Sequence, residues 1–306
     1  MRGVALSLAD HWVWDHWIAD DGEQYHLFFL RASRALHDPD RRHWRAGLGH
    51  AVSDDARTWR LMPDALVHSD GPAFDDQAIW TGSTIIKPDG SLRVFYTGIS
   101  RAEGGMVQRI GWADSDDGTV FHRTCSSPLE ADPRWYKKAG EDAPDEHWRD
   151  PFVFAHEGRW HMLITAQATG VERKRSGVIG HAVSDDLETW EVLEPLTQPG
   201  GFGQLEVAQS RCIEGRHLLV FSCGQDMQAE PGPGGVWLAE GDSPLGPWDV
   251  ASARYVRLEH LYAGQLLRLR QGQWVFTGFD DGIGQTPFVG SVPDPIPWER
   301  IELMSR

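Results

Sequence analysis

Five short stretches dense in apolar and aromatic residues recur along the chain: "QYHLFFL" (24–30), "SLRVFYTG" (91–98), "RWHMLITA" (159–166), "RHLLVFSC" (216–223) and "QWVFTGF" (273–279). Their length and their β-branched and aromatic content predict strands. Most follow an Asp-Gly, Glu-Gly or Gln-Gly dipeptide, the mark of a tight hairpin. A further strand precedes each hairpin, beginning near Asp15, Trp80, Asp150, Leu205 and Tyr262. Helical periodicity of any length is absent.

Downstream of each stretch lies a second recurrence. "GHAVSDDARTW" at 49–59 returns as "GHAVSDDLETW" at 180–190 and, more loosely, as "GWADSDDGTVF" at 111–121 and "VWLAEGDSPLGPW" at 236–248. "VGSVPDPIPW" at 289–298 is a worn fifth copy. Counted at His50, Trp112, His181, Trp237 and about Ser291, the steps are 62, 69, 56 and 54 residues. Each copy reads as a strand, an acidic turn and a strand opening on an aromatic. The turn carboxylates (Asp54-Asp55, Asp116-Asp117, Asp185-Asp186) are suited to hydrogen-bonding their own backbone. Four strands per unit and five units predict an all-β protein, a five-bladed β-propeller with four antiparallel strands per blade, as a single domain over residues 1–306. A β-sandwich array is the alternative, and fivefold recurrence argues against it.

Composition narrows the ligand. Against 29 basic residues stand 45 acidic ones, a net charge of −16, which disfavours nucleic acid or an anionic membrane surface as partner. A small neutral ligand fits best. Fifteen tryptophans supply aromatic faces. The three cysteines, Cys125, Cys212 and Cys223, have no CxxC spacing and read as reduced thiols, neither a disulfide framework nor a zinc site. The apolar run near the N-terminus is too short for a secretory signal, and no stretch approaches a membrane span, so the expected location is cytoplasmic.

In a propeller the innermost strand of each blade lines the central channel. Three acids fall at the start of such strands in three different blades: Asp15 in "VWDHW", Asp150 in "WRDPF" and Glu206 in "QLEVAQ". Each has an apolar or aromatic neighbour, which perturbs carboxylate pKa values. Two carboxylates flanking a glycosidic bond are what glycoside hydrolysis requires, one ionised and one protonated. Arg149, beside Asp150, would keep that carboxylate ionised and donate to sugar hydroxyls. Trp14 and Trp80 are the first candidates for sugar-facing aromatics.

"VWDHW", "WTGS" (80–83), "WRDP" (148–151) and "YAGQL" (262–266) resemble the blade-start motifs of the fructan-acting propellers, glycoside hydrolase families 32 and 68. "VWDHW" is nearer to the family 68 pattern. The resemblance implies Asp15 as nucleophile, Asp150 as the stabiliser that binds sugar hydroxyls, and Glu206 as general acid/base. Trp14, Trp80, Ser83 and Arg149, with His16 beside the proposed nucleophile, are the candidate substrate-binding residues. One departure is Val207, where family 32 places cysteine after the acid/base. The activity implied is a retaining hydrolase of β-fructofuranosides such as sucrose or short fructans, with transfer to a second sugar as a further outcome. Two alternatives stand: an arabinan- or pentofuranoside-acting propeller of the family 43 type, and a non-catalytic sugar-binding propeller. Three convergent acids argue against the latter, since burying them unused costs desolvation.

No cofactor or metal is expected. "HEGRWH" at 156–161 places its histidines five apart around a Gly turn, not at the helical spacing of a metalloprotease. His50 and His181 repeat between blades and read as structural. Asp75 and Asp76 have two readings, reaching the pocket or capping a turn, and the turn is favoured; Asp280 and Asp281 read as turn residues. The polar segment 130–147 is expected as a long loop over one mouth of the channel.

Overall fold

The computed structural model describes residues 4–140, 144–258, 260–282 and 288–304. It is a five-bladed β-propeller. Blade 1 runs outward through His11–Asp20, Tyr25–Ser33, Gly47–Ser53 and Arg60–Leu61; blade 2 through Ala78–Ile86, Leu92–Ile99, Gln108–Ser115 and His122–Arg123. Blade 3 comprises Trp148–His156, Arg159–Gln167, Gly177–Ser184 and Glu191–Leu193. Blade 4 comprises Glu206–Ile213, Arg216–Cys223, Gly235–Gly241 and Arg254–Val256. All pairings are antiparallel.

Blade 5 departs from four continuous strands. Leu261–Arg268 pairs with Trp274–Asp280, but the next strand is broken, with Ser291 bridging Asp280 and Ile296–Pro297 pairing at the far end. Prolines 293, 295 and 297 remove ladder donors there, which accounts for the worn repeat. Val4–Leu6, from the other end of the chain, pairs with Val292–Pro293 and closes the ring. Leu303–Met304 adds a fifth strand to blade 4.

The acidic turns recur with one geometry. Asp55 Oδ1 accepts from the backbone N–H of Arg57 and Thr58, Asp117 Oδ1 from Thr119 and Val120, and Asp186 Oδ1 from Glu188 and Thr189. These donors hold Asp55 and Asp186 at about 2. The repeated histidines are also internal: His26 Nδ1 lies 3.0 Å from His50 Nε2, and His161 Nδ1 lies 3.1 Å from His181 Nε2. Most tryptophans fill the space between blades, with Trp148 and Trp237 fully buried. Neighbouring inner strands are pinned by side chains: Trp17 Nε1 donates to Thr84 Oγ1, Val153 N–H to Ser83 Oγ, and Leu266 N–H to Gln209 Oε1. Among the described residues no helix is long and apolar enough to cross a membrane.

Candidate active site

Every inner strand carries a bulge at the same place. Pairing slips between Trp14 and His16, Trp80 and Gly82, Arg149 and Phe152, Glu206 and Gln209, and Tyr262 and Gln265. The extra residue is Asp15, Thr81, Asp150, Val207 or Ala263. Four of these five have positive φ: Asp15 +24°, Asp150 +57°, Val207 +51° and Ala263 +48°. A bulge bends the strand and re-aims its side chains. In blades 1 to 4 it turns two consecutive residues of the strand toward the axis, where simple alternation would present one; in blade 5 Tyr262 borders the cavity and Ala263 does not. Trp14, Trp80, Arg149, Glu206 and Tyr262, each just before its bulge, all line a cavity of about 470 Å³, together with Asp15, Thr81, Asp150 and Val207.

The three predicted acids therefore meet in one cavity, at two registers. Asp15 and Asp150 are bulge residues of blades 1 and 3. Glu206 stands one position earlier in blade 4, equivalent to Arg149, and Val207 takes the bulge. A β-branched residue at positive φ is strained. The strain delivers the Val207 N–H to Asp150 Oδ2 at 3.1 Å, which the Thr165 hydroxyl also approaches at 2.9 Å. From behind, Thr97 Oγ1 accepts the Asp150 N–H at 2.9 Å. Asp150 is held from several sides.

Arg149 lies between the other carboxylates. Its Nη2 donates to Glu206 Oε1 at 2.7 Å and its Nε is 3.6 Å from Asp150 Oδ2, while Nη1 donates to Gln108 Oε1. Glu206 Oε2 accepts from Gln204 Nε2 at 2.8 Å and from the Tyr262 hydroxyl at 2.5 Å. Asp15 accepts from Thr81 Oγ1 at 2.5 Å. The Arg149 guanidinium thus serves Glu206 and Asp150, while Asp15 has the Thr81 hydroxyl and the charge of Arg42, so burial and mutual repulsion favour retaining a proton within the set. Desolvation, reinforced by Asp150, raises Asp15 to about 7; desolvation raises Asp150 to about 6 despite Arg149.

The remaining candidates divide. Trp14 is only 1% exposed, with the Arg42 guanidinium 5.6 Å above its ring; Trp80 is anchored through Nε1 to the His43 carbonyl at 2.7 Å. Both border the cavity. Ser83 and His16 do not. Two residues beyond the bulge, Ser83 faces blade 3 and receives the Val153 N–H, so it joins blades rather than facing the cavity. His16 is fully buried on the strand's other side, and burial lowers it to about 4.

Several lining residues were not predicted. Asp281, expected in a turn, borders the cavity, whereas Asp280 does accept from Gly282 N–H as a turn residue does. Asp75 is more than a turn residue: it is fully buried and accepts from Tyr96 and Arg123. Arg42 and His43 come from a 3-10 segment, Pro39–Arg45, inserted between two strands of blade 1. Asp145 and His147 come from the 130–147 loop, of which residues 141–143 lie outside the described residues. The signal for Tyr262 was present in "YAGQL". For Arg42, in an irregular insertion, there was none. Among the described residues no group of three or more His, Cys, Asp or Glu is arranged to hold a metal.

The model of the glycosyl hydrolases family 32 N-terminal domain matches residues 17–229. The chain belongs to this family. The matched region contains Asp150 and Glu206 and begins two residues after Asp15. Over 184 residues the chain is 34% identical to the sucrose-6-phosphate hydrolase of Bacillus subtilis, covering 57% of this chain and 34% of that protein. Over 153 residues it is 31% identical to an acid beta-fructofuranosidase of Vigna radiata, covering 48% and 21%. These alignments span about a third or less of those relatives' lengths. The fold is shared with an inulosucrase from Halalkalicoccus jeotgali bound to kestose, at a TM-score of 0.74 and 20% identity over 100% of this chain and 90% of that one. It is shared equally with a family 32 beta-fructofuranosidase of Bombyx mori, at 0.74 and 18% over 99% and 64%.

Proposed function

We propose that the chain is a retaining glycoside hydrolase acting on β-fructofuranosides, with sucrose or a short fructan as substrate. The observation that carries this reading is the convergence of Asp15, Asp150 and Glu206, from blades 1, 3 and 4, on one cavity shared with Arg149. Family membership and the names of the relatives agree with it.

In this reading ionised Asp15 attacks the anomeric carbon while Glu206 gives its proton to the departing oxygen. Glu206 then removes a proton from water, or from the hydroxyl of a second sugar, which resolves the glycosyl-enzyme. Tyr262, Gln204 and Arg149 donate to Glu206 and hold its carboxyl in place for both halves of the cycle. Asp150, fixed by Thr165 and Val207, accepts from hydroxyls of the furanose ring. Its charge also opposes ionisation of Asp15, so the negative charge is relieved as positive charge develops at the anomeric carbon. We also propose a cytoplasmic location, supported by three cysteines that are all free.

The test is a panel of natural furanosides and nitrophenyl furanosides with product anomers followed by NMR. Fructose released first as the β anomer is the expected result. Release of arabinose, or of an inverted anomer, would favour the pentofuranoside reading. Silence across the panel would leave a binding propeller.

A further inference from the structure

The two relatives named above differ in whether their names specify a phosphorylated sugar. We infer that this cavity takes an unphosphorylated sugar and discriminates against its phosphate ester, an inference that rests on the fructofuranosidase reading. Among the described residues six carboxylates line the cavity: Asp15, Asp145, Asp150, Glu206, Asp226 and Asp281. Three guanidiniums oppose them, and each is already engaged. Arg149 donates to Glu206 and Gln108. Arg173 pairs with Asp145 at 3.0 Å. Arg42 donates from Nη1 to the Pro39 carbonyl and lies 4.0 Å over the Phe288 ring. His43 and His147 add no charge near neutrality, since burial lowers both, His43 to about 3.

A phosphate ester brings a charge of about −1.5 to −2 near pH 7 and is bound through several charge-assisted donors. Even with Asp15 and Asp150 counted as protonated, four carboxylates face three guanidiniums. The one buried guanidinium N–H without a partner among the described residues is Arg42 Nε. A single donor beside carboxylates suits a polyol, whose hydroxyls donate to the acids and accept one bond from the arginine. It does not suit a dianion. Each unit of uncompensated charge some 6 Å away, at intermediate dielectric, disfavours the ester by about tenfold.

Two measurements test this. The first is kcat/KM for sucrose and for sucrose 6-phosphate at about 20 mM and about 500 mM salt. Sucrose should be preferred by about tenfold or more at low salt, and the preference should narrow at high salt. Equal use of the two, or preference for the phosphate, overturns the inference. The Asp226→Lys variant changes the charge at the cavity mouth by two units and, weakened by solvent screening at this exposed site, should move the ratio toward the phosphate by about tenfold; an unmoved ratio contradicts the electrostatic origin. The second measurement does not need turnover: calorimetric titration of the Asp15→Asn protein with fructose and with fructose 6-phosphate. Tighter binding of fructose supports the inference even if neither disaccharide is cleaved, an outcome that would sink the catalytic reading alone. Tighter binding of the phosphate, or binding of neither sugar, overturns it.

Discussion

The Thr81 hydroxyl donates to Asp15 Oδ2 across the boundary between blades 1 and 2, at 2.5 Å, and the two residues occupy the same bulge position of adjacent inner strands. A position that carries a carboxylate in one blade thus carries, in the next, the hydroxyl that supports it. The bond stabilises the ionised form of Asp15 against desolvation and against Asp150. Thr81→Val keeps the shape and removes the donor. The acid limb of the kcat/KM profile should move up by as much as about one pH unit, worth ~1.4 kcal/mol. The loss in rate should then be larger at pH 6 than at pH 8. An unmoved limb would mean that this bond does not set the ionisation of Asp15.

Because Asp15 is raised to about 7, kcat/KM of the parent protein should fall as pH drops through that region. Stability runs the other way. A carboxyl whose folded pKa exceeds its unfolded one, near 3.9, binds its proton more tightly when folded. Stability is therefore greatest at low pH with respect to this group, and is lost as pH rises through about 4 to 7. Asp15→Asn removes that loss along with the activity. It should be more stable than the parent at pH 8, on the order of a few kcal/mol, and no more stable near pH 4. Chemical denaturation at the two pH values measures this. A variant less stable at pH 8 would place no electrostatic strain at Asp15.

Ser83 and Gly82 should behave as parts of the scaffold. Ser83→Ala leaves the Val153 N–H without its acceptor and should cost about 1–2 kcal/mol of stability with KM unchanged. Gly82→Ala would place its Cβ 1.8 Å from the Phe95 carbonyl oxygen, at the bulge of blade 2. The expected cost is on the order of 3 kcal/mol or more, read as a fall in Tm or in soluble yield. A raised KM for Ser83→Ala with normal stability would return this residue to the cavity.

Ring closure rests on a short strand. Leu6 pairs with Val292 and is buried in a cluster with Val13, Leu27, Phe29 and Ala51, so it joins the N-terminal segment, blade 1 and blade 5. Leu6→Ala should destabilise by about 2–3 kcal/mol with the active-site pH profile unchanged. A change below about 0.5 kcal/mol would show that closure does not depend on this contact.

Much of this architecture is written into the sequence because a blade repeats. The acidic turn recurs because each copy must satisfy the same backbone N–H groups, and the hairpin dipeptides mark the same corner each time. What was illegible is what does not repeat. The closing strand is three residues long and finds a partner almost the whole chain away, and the prolines of blade 5 hide the strand it completes. The site divides in the same way. Asp15, Asp150 and Glu206 were legible because inner-strand starts converge, but their unequal register was not, since a bulge changes which residues face inward without changing composition. Asp281 was misread because an Asp-Asp-Gly at a strand end looks the same whether it caps a turn or borders a cavity. Arg42 belongs to an insertion with no periodicity to place it.

The central claim is that Asp15 becomes covalently attached to the sugar while Glu206 manages the proton. The most direct measurement is mass spectrometry of the Glu206→Gln protein quenched during reaction with an activated β-fructofuranoside, whose leaving group departs without a proton. The intermediate should accumulate because no base activates water. Peptide mapping should find one fructosyl group on the peptide containing Asp15, and none when Asp15→Asn is added. A fructosyl group on Asp150 or Asp281, or turnover with no covalent species at all, would contradict the account.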